Sequence, residues 1–416
     1  MQKKEKNNMS FKTLCSWIEN QKKEIIALET LLTSYPALAP ESGGEGELKK
    51  CIALEEWLKK HGITQLERFD APDSRVQSGV RPNLVATIAG KSDKKTVWVI
   101  AHLDVVPVGE LSLWSSDPWK VIEKGGKIIG RGVEDDQQGL CSGVFAALAF
   151  VQNGVVPDYT VKLLFAADEE VGSVYGIQFL LKKHKLFRKQ DIIIIPDGGD
   201  SEGETIEVAE KNLLWLKVKV RGKQAHGSMP NLGKNACLAA SALSLKLNDM
   251  ERFFKKRDKL FEPPYSTFQP TKKEANVPNV NTIPGEDVFY MDCRILPCYT
   301  LDEVRSEARK RMDEIEKKYG VKISFTEEQA VQSPATPVDA PVVTELAQAI
   351  KAVTGKKARP IGIGGGTVGG YLRIKGFNAA VWSTLDETAH QPNEYCKIKN
   401  LVQDAKVLAA VFGGTK

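Results

Sequence analysis

A chain of 416 residues is longer than one hydrophobic core usually supports, so about two domains are expected. Its charge is close to balanced, 58 lysines and arginines against 53 acids, with both signs mixed along the polar stretches, which leaves nucleic acid and anionic membrane out as expected partners. Seven scattered cysteines without a C-x-x-C pair exclude a disulfide framework or a zinc ribbon and point to reduced thiols in a cytoplasmic protein.

Residues 1–10 are polar and lysine-rich with no apolar core, so they read as a frayed extension and not as a secretory signal. No apolar stretch approaches the roughly 20 residues that cross a bilayer. Apolar residues recur at helical spacing over 11–33 and 46–61, which predicts two surface helices joined by the loop Pro36 to Gly44. Residues 83–88 and 96–101 read as strands, paired as a hairpin through the turn at 90–95. The second of these ends at His102, with Asp104 two residues on, and side chains two apart on a strand leave by one face.

A short strand at 127–129 gives way to Gly130-Arg131-Gly132 and the acids Glu134, Asp135 and Asp136, followed by a small-residue helix over 140–153. The apolar run 161–167 ends in Asp168, Glu169 and Glu170; after a helix over 176–185, the run 191–196 ends at Asp197. Runs this uniformly apolar suit strands covered on both faces, and ligand sites in such sheets lie beyond the carboxyl ends of the strands.

From about Lys211 the texture changes to strands with one solvated face (213–220, 287–295 and 321–326), helices over 236–254 and 301–319, and a loop holding His226. This content predicts an inserted α+β unit of ferredoxin-like type. The chain then returns through a helix over 340–354, a glycine loop over 362–370, a strand over 378–382, a loop with Asp386, Glu387 and His390, and a helix over 400–412. The expected organisation is an α/β catalytic domain, a mixed sheet sandwiched by helices, split into 1–211 and 330–416 around an insert at 212–329.

Of five histidines, His61 and His184 close lysine-rich surface helices and are set aside. His102 and His390 follow apolar strands in acid-containing loops. The strands deliver Asp104, Asp135 or Asp136, Glu169, Glu170, Asp197, and Asp386 or Glu387 to one edge, and so many carboxylates in one cleft call for a cation. Imidazoles with carboxylates favour zinc, cobalt or manganese over magnesium. Two ions about 3.5–4 Å apart need a bridging carboxylate and two further ligands each. His102 with Asp197, Glu170 with His390, and Asp135 between them fill that count, Asp104 orients the His102 ring, and Glu169 stays free as a general base. Two divalent ions with three carboxylates leave a positive charge of about one, which holds a bridging hydroxide.

Five motifs in order, AHLDVVPV, GRGVEDD, DEEVGS, AHGSMP and AHQPNE, make the chain resemble the dinuclear zinc amidohydrolases that include acetylornithine deacetylase, succinyl-diaminopimelate desuccinylase, aminoacylase, carnosinase-type dipeptidases and glutamate carboxypeptidase. The resemblance implies two zinc ions, replaceable by cobalt or manganese, on His102, Asp135, Glu170, Asp197 and His390, with Glu169 as base and Asp104 behind His102. It makes the insert a lid and dimerisation domain, His226 a donor to the oxyanion, Arg294 the holder of a substrate carboxylate, and Gly365, Gly366 and Thr367 part of the substrate pocket. Gln137 and Gln138 depart from the family's lysine and glycine after the bridging aspartate, which leaves Asp136 as a rival to Asp135, and Val368 stands where relatives place an aspartate.

The expected function is zinc-dependent hydrolysis of a linear amide in an N-acyl amino acid or short peptide, of desuccinylase, deacylase or dipeptidase type, by a homodimer. The alternative is a non-catalytic homologue that binds metal or peptide. A nucleotide-binding transferase is disfavoured because the glycine loop lacks the lysine and hydroxyl of a P-loop.

Overall fold

The computed structural model describes residues 11–413, so the extension read from residues 1–10 lies outside the described residues. The chain forms two compact units. One holds the residues up to Val208, Thr336–Pro360 and those from Thr367 onward; the other holds Ala209–Ala335 and Ile361–Gly366.

The first unit is built on a mixed sheet with strands in the order Leu66–Pro72, Val80–Ile88, Tyr159–Ala166, Ser92–His102, Ile192–Asp200, Ala379–Thr384, Thr205–Glu210 and Arg359–Ile363. The four central strands, from Tyr159–Ala166 to Ala379–Thr384, are parallel, so their carboxyl ends emerge at one edge. Both faces are covered, which explains the unbroken apolar runs. On one face Trp98 and Ile100 pack with Ile177, Leu180, Val368 and Leu372 from two short helices. On the other, Val99 meets the helix Gln137–Asn153 at Gly143, where an added methyl would lie 3.1 Å from Val99 Cγ1.

Several expectations are corrected. The strands Val80–Ile88 and Ser92–His102 are not hairpin partners; both pair with Tyr159–Ala166, which lies between them. The helical pattern over 11–33 is two helices, Phe11–Glu19 and Lys22–Thr33. The glycine run is not one loop, since Gly362 and Ile363 end a strand and Val368 begins a helix. Its first part joins the second unit because Lys211 N donates to Ile363 O (2.9 Å) and Gly362 N to Leu260 O (2.6 Å).

The second unit has an antiparallel sheet, Thr267–Lys273, Glu286–Ile295, Asn212–Arg221 and Lys322–Val331, with helices Ala236–Asn248 and Leu301–Tyr319. In chain order this is βαββαβ, the ferredoxin-like arrangement. Leu214, Leu216, Val218 and Val220 are buried while the residues between them face outward, as the alternation requires. Among the described residues no helix is long and apolar enough to cross a membrane.

Gly139 is the tightest point of the helix beneath the sheet edge: a Cβ there would collide with Asp136 Oδ1 and Pro196 O. Alanine normally gains about 1 kcal/mol over glycine in a helix, but overpacking costs about 1–3 kcal/mol. Gly139→Ala is therefore expected to lower the urea midpoint followed by circular dichroism, and a midpoint at or above that of the parent protein would refute this packing argument.

Candidate metal centre

The strand Ser92–His102 delivers His102 to the sheet edge, buried, with its backbone N–H donating to Asp136 Oδ2 at 3.2 Å. Its ring is held from both sides. Nδ1 lies 3.0 Å from the Asp104 carbonyl and 3.4 Å from Asp104 Oδ1, while Nε2 lies 2.9 Å from Asp135 Oδ1. The carbonyl is thus the nearer orienting partner. The Asp104 carboxylate chiefly accepts the backbone N–H groups of Glu169 and Glu170, each at 3.0 Å, and so seats the turn that carries both glutamates.

The other oxygen of Asp135, Oδ2, lies 3.0 Å from His390 Nε2, and the same ring nitrogen is 3.2 Å from Glu170 Oε2. Asp135 therefore presents one oxygen to each imidazole. Among the described residues two trios offer ligand atoms within 4.8 Å of one another: His102, Asp135 and Glu170, and His102, Asp136 and Asp197. Glu170, not Glu169, joins the first trio. Asp386 is absent from both; it pairs with Lys397 at 2.6 Å.

Electrostatics give a test of whether a cation belongs here. Burial raises the pKa of Asp197 well above the ordinary carboxylate range, with Asp136 and Asp135 adding to the effect. Burial likewise raises Glu170, and pushes Glu169 up to about 8, opposed by His102 and reinforced by Glu170 and Asp104. Asp135 moves down despite its burial, because His102 and His390 both bond to it. His390 is raised to about 10 by its bonds to Asp135 and Glu170. Asp136 Oδ1 and Glu170 Oε1 are buried without a hydrogen-bond partner. The orphaned oxygen of Glu170, in a cleft where carboxylates and imidazoles converge, is what a cation would satisfy, so the donor set fits a metal ion.

In the second unit, His226 Nδ1 accepts from Ser228 N (3.2 Å) and sits 2.8 Å from Ser228 Oγ. A backbone N–H can only donate, so Nδ1 carries the lone pair and Nε2 the proton. Arg294 donates from Nε and Nη2 to the two oxygens of Asp292 (2.7 and 3.0 Å) and from Nη1 to Gly364 O (2.8 Å). Gly365 and Gly366 follow in the same loop, and in the first unit Thr367 Oγ1 accepts from Gly369 N at 3.0 Å, capping the helix Val368–Ile374.

Residues 98–413 match peptidase family M20/M25/M40. The chain belongs to this family. An uncharacterized metallohydrolase of Methanococcus maripaludis is 42% identical over 410 residues, covering 92% of this chain and 97% of that one. A succinyl-diaminopimelate desuccinylase of Cereibacter sphaeroides is 27% identical over 90% of this chain and 94% of its own. Among solved structures, the dipeptidase Dug1p of Saccharomyces cerevisiae shares the fold with a TM-score of 0.74 at 18% identity, over 97% of this chain and 98% of its own. The protein is thus an M20 metallohydrolase, a family that implies metal ions.

Residues not singled out in the sequence brace the M20 centre. Asp404, fully buried, accepts from Thr384 N (2.9 Å), Thr384 Oγ1 (2.6 Å), Ser383 Oγ (2.9 Å) and Gln138 Nε2 (3.3 Å). It thereby ties the strand that leads to His390 to the helix that follows Asp136. A histidine-and-acid census misses it because it lies far along a helix, Ile398–Gly413, whose apolar pattern dominates.

Burial raises the Asp404 pKa to about 6, against an ordinary 3.8. Between those values the folded protein keeps a proton that the unfolded chain releases, so this group's stabilising contribution is complete below about pH 4 and is lost as pH rises towards 6. In thermal melts from pH 4 to 7, Asp404→Asn is expected to flatten the decline across that window. An unchanged slope would show that Asp404 does not titrate there.

Proposed function

We propose that the protein hydrolyses a linear amide bond in an N-acyl amino acid or short peptide at a pair of zinc ions, with His102 and Asp197 on one ion, Glu170 and His390 on the other, and Asp135 bridging. The observation that carries this reading is the sharing of Asp135, one oxygen 2.9 Å from His102 and the other 3.0 Å from His390. Bound divalent ions supply Lewis acidity and make water acidic enough to act as a nucleophile near neutral pH.

Glu169 acts as general base, taking the proton of the attacking water and delivering it to the leaving amine. Its carboxylate lies beside the ligands, where burial and the neighbouring acids raise its proton affinity, and it serves as the acceptor once bound cations keep it ionised. His226 presents Nε2–H to the oxyanion, in the tautomer that Ser228 enforces. Arg294 holds the substrate carboxylate with the two N–H groups that Asp292 and Gly364 leave uncommitted, beside the Gly365-Gly366-Thr367 backbone. The second unit serves as lid and dimerisation domain, and the protein works in the cytoplasm. Succinylated diamino acids belong in the substrate panel because desuccinylases are among the relatives.

With the zinc-loaded protein and a panel of N-acyl amino acids, N-succinyl diamino acids and dipeptides, Glu169→Ala is expected to lower kcat on the order of 10²–10⁴ while metal content stays the same. His226→Ala is expected to cost on the order of 10²–10³. Full turnover by Glu169→Ala would remove Glu169 as the base; no turnover of any substrate by the metal-loaded parent protein would refute amide hydrolysis.

A further inference from the structure

Three non-glycine residues of the loop that carries His390 have left-handed backbone: Glu387 (φ 60°), His390 itself (φ 63°) and Asn393 (φ 59°). Left-handed backbone at a residue with a side chain is sparsely populated and costs of order 1–3 kcal/mol unless its surroundings impose it. Three such residues in one short loop therefore need an external brace, and two buried glutamates provide it from opposite directions.

Glu134, the neighbour of Asp135, sends its carboxylate into the His390 loop. Its oxygens accept from Asp386 N (2.7 Å), from Thr388 N, and from Thr388 Oγ1 (2.7 Å), and Thr388 Oγ1 in turn accepts from Tyr395 N (3.1 Å). Glu394, four residues after His390, sends its carboxylate the other way. Its oxygens accept from Gly132 N (3.0 Å), Glu134 N (2.9 Å) and Asp135 N (3.1 Å), and from Arg131 Nη1 (2.6 Å). Arg131 is itself buried and donates from Nη2 to the His390 carbonyl at 3.4 Å. Each loop thus supplies the acid that saturates the backbone donors of the other.

From this reciprocity we infer that Glu134 and Glu394 are positioning residues, a crossed clasp that sets Asp135 and His390 at the spacing needed to share one carboxylate between two metal ligands. The clasp explains why Glu134 and Glu394 are acids although neither joins a ligand trio. A carboxylate offers acceptors on both oxygens, whereas an amide would turn one N–H pair towards backbone N–H groups. The inference rests on the proposed metal centre, and partners beyond a ligand ordinarily change metal affinity by roughly 10–100-fold.

The test uses the full-length protein with Co²⁺ as the probe, read by its visible absorption spectrum and by competition with a chelator, beside melting of the metal-free protein. Glu134→Gln and Glu394→Gln are expected to weaken Co²⁺ binding by roughly 10–100-fold and to alter the absorption bands. Activity should fall in kcat with KM little changed, because no substrate contact is removed. Should either glutamine variant fail to fold, Thr388→Val, which deletes one donor to Glu134, is expected to shift the Co²⁺ spectrum and affinity in the same direction, and Thr388→Ser to restore them. Parent-like spectra and affinities in folded variants would overturn the clasp. His102→Ala separates the two readings: if it binds Co²⁺ as the parent does, the metal centre itself is misassigned, whereas its loss of binding beside unaffected glutamine variants refutes the clasp alone.

Discussion

The shared carboxylate of Asp135 is the constraint around which the first unit is arranged. For its two oxygens to face His102 and His390 at 2.9 and 3.0 Å, a strand end, the loop before a buried helix and a loop near the end of the chain must meet at one place. Parallel central strands make this possible, because they bring several carboxyl ends to a single edge where irregular backbone can begin. The arrangement has an electrostatic cost. Asp136, Glu169, Glu170 and Asp197 lie in the same cleft, where burial and mutual repulsion push their pKa values up, so negative charge alone is poorly tolerated. A cation relieves that cost, so metal binding and stability of the sheet edge are thermodynamically linked.

Two classes of buried acid can be told apart by what their oxygens touch. Asp104, Glu134 and Glu394 spend theirs on backbone N–H groups of neighbouring loops. Asp136 and Glu170 each keep an oxygen with no hydrogen-bond partner. A buried acceptor is normally satisfied, and the free oxygen of Glu170 belongs to a carboxylate whose other oxygen meets the His390 ring, where a cation would complete it.

Most of this centre was legible because its chemistry sits at strand ends, where a uniformly apolar run stops at a histidine or an acid. His102, Asp197 and Glu170 are of that kind, and the five motifs then placed the chain in a family that its match over residues 98–413 supports. What escaped was long-range. Strand pairing across the central sheet could not be read from local pattern, so the expected hairpin of residues 83–88 and 96–101 proved to be two strands separated by a third. The strand Leu66–Pro72 was missed because it is half-exposed and carries charge, and Thr205–Glu210 because Glu207 and Glu210 are buried inside it. Glu134 and Glu394 stood inside quoted motifs, yet nothing local distinguishes an acid that caps a distant loop from a solvated one. Besides lying 3.4 Å from the His102 ring, the Asp104 carboxylate accepts from two backbone donors, a second partnership visible only in three dimensions.

The second unit raises a different point about recognition. A guanidinium has five N–H donors, and Asp292 and Gly364 occupy three of those on Arg294. The Asp292 carboxylate also neutralises the cation locally and accepts from Trp215 Nε1 at 2.9 Å, so the ion pair is tied to the neighbouring strand. A group held this way discriminates by where its remaining donors point more than by net charge, because its charge is already compensated.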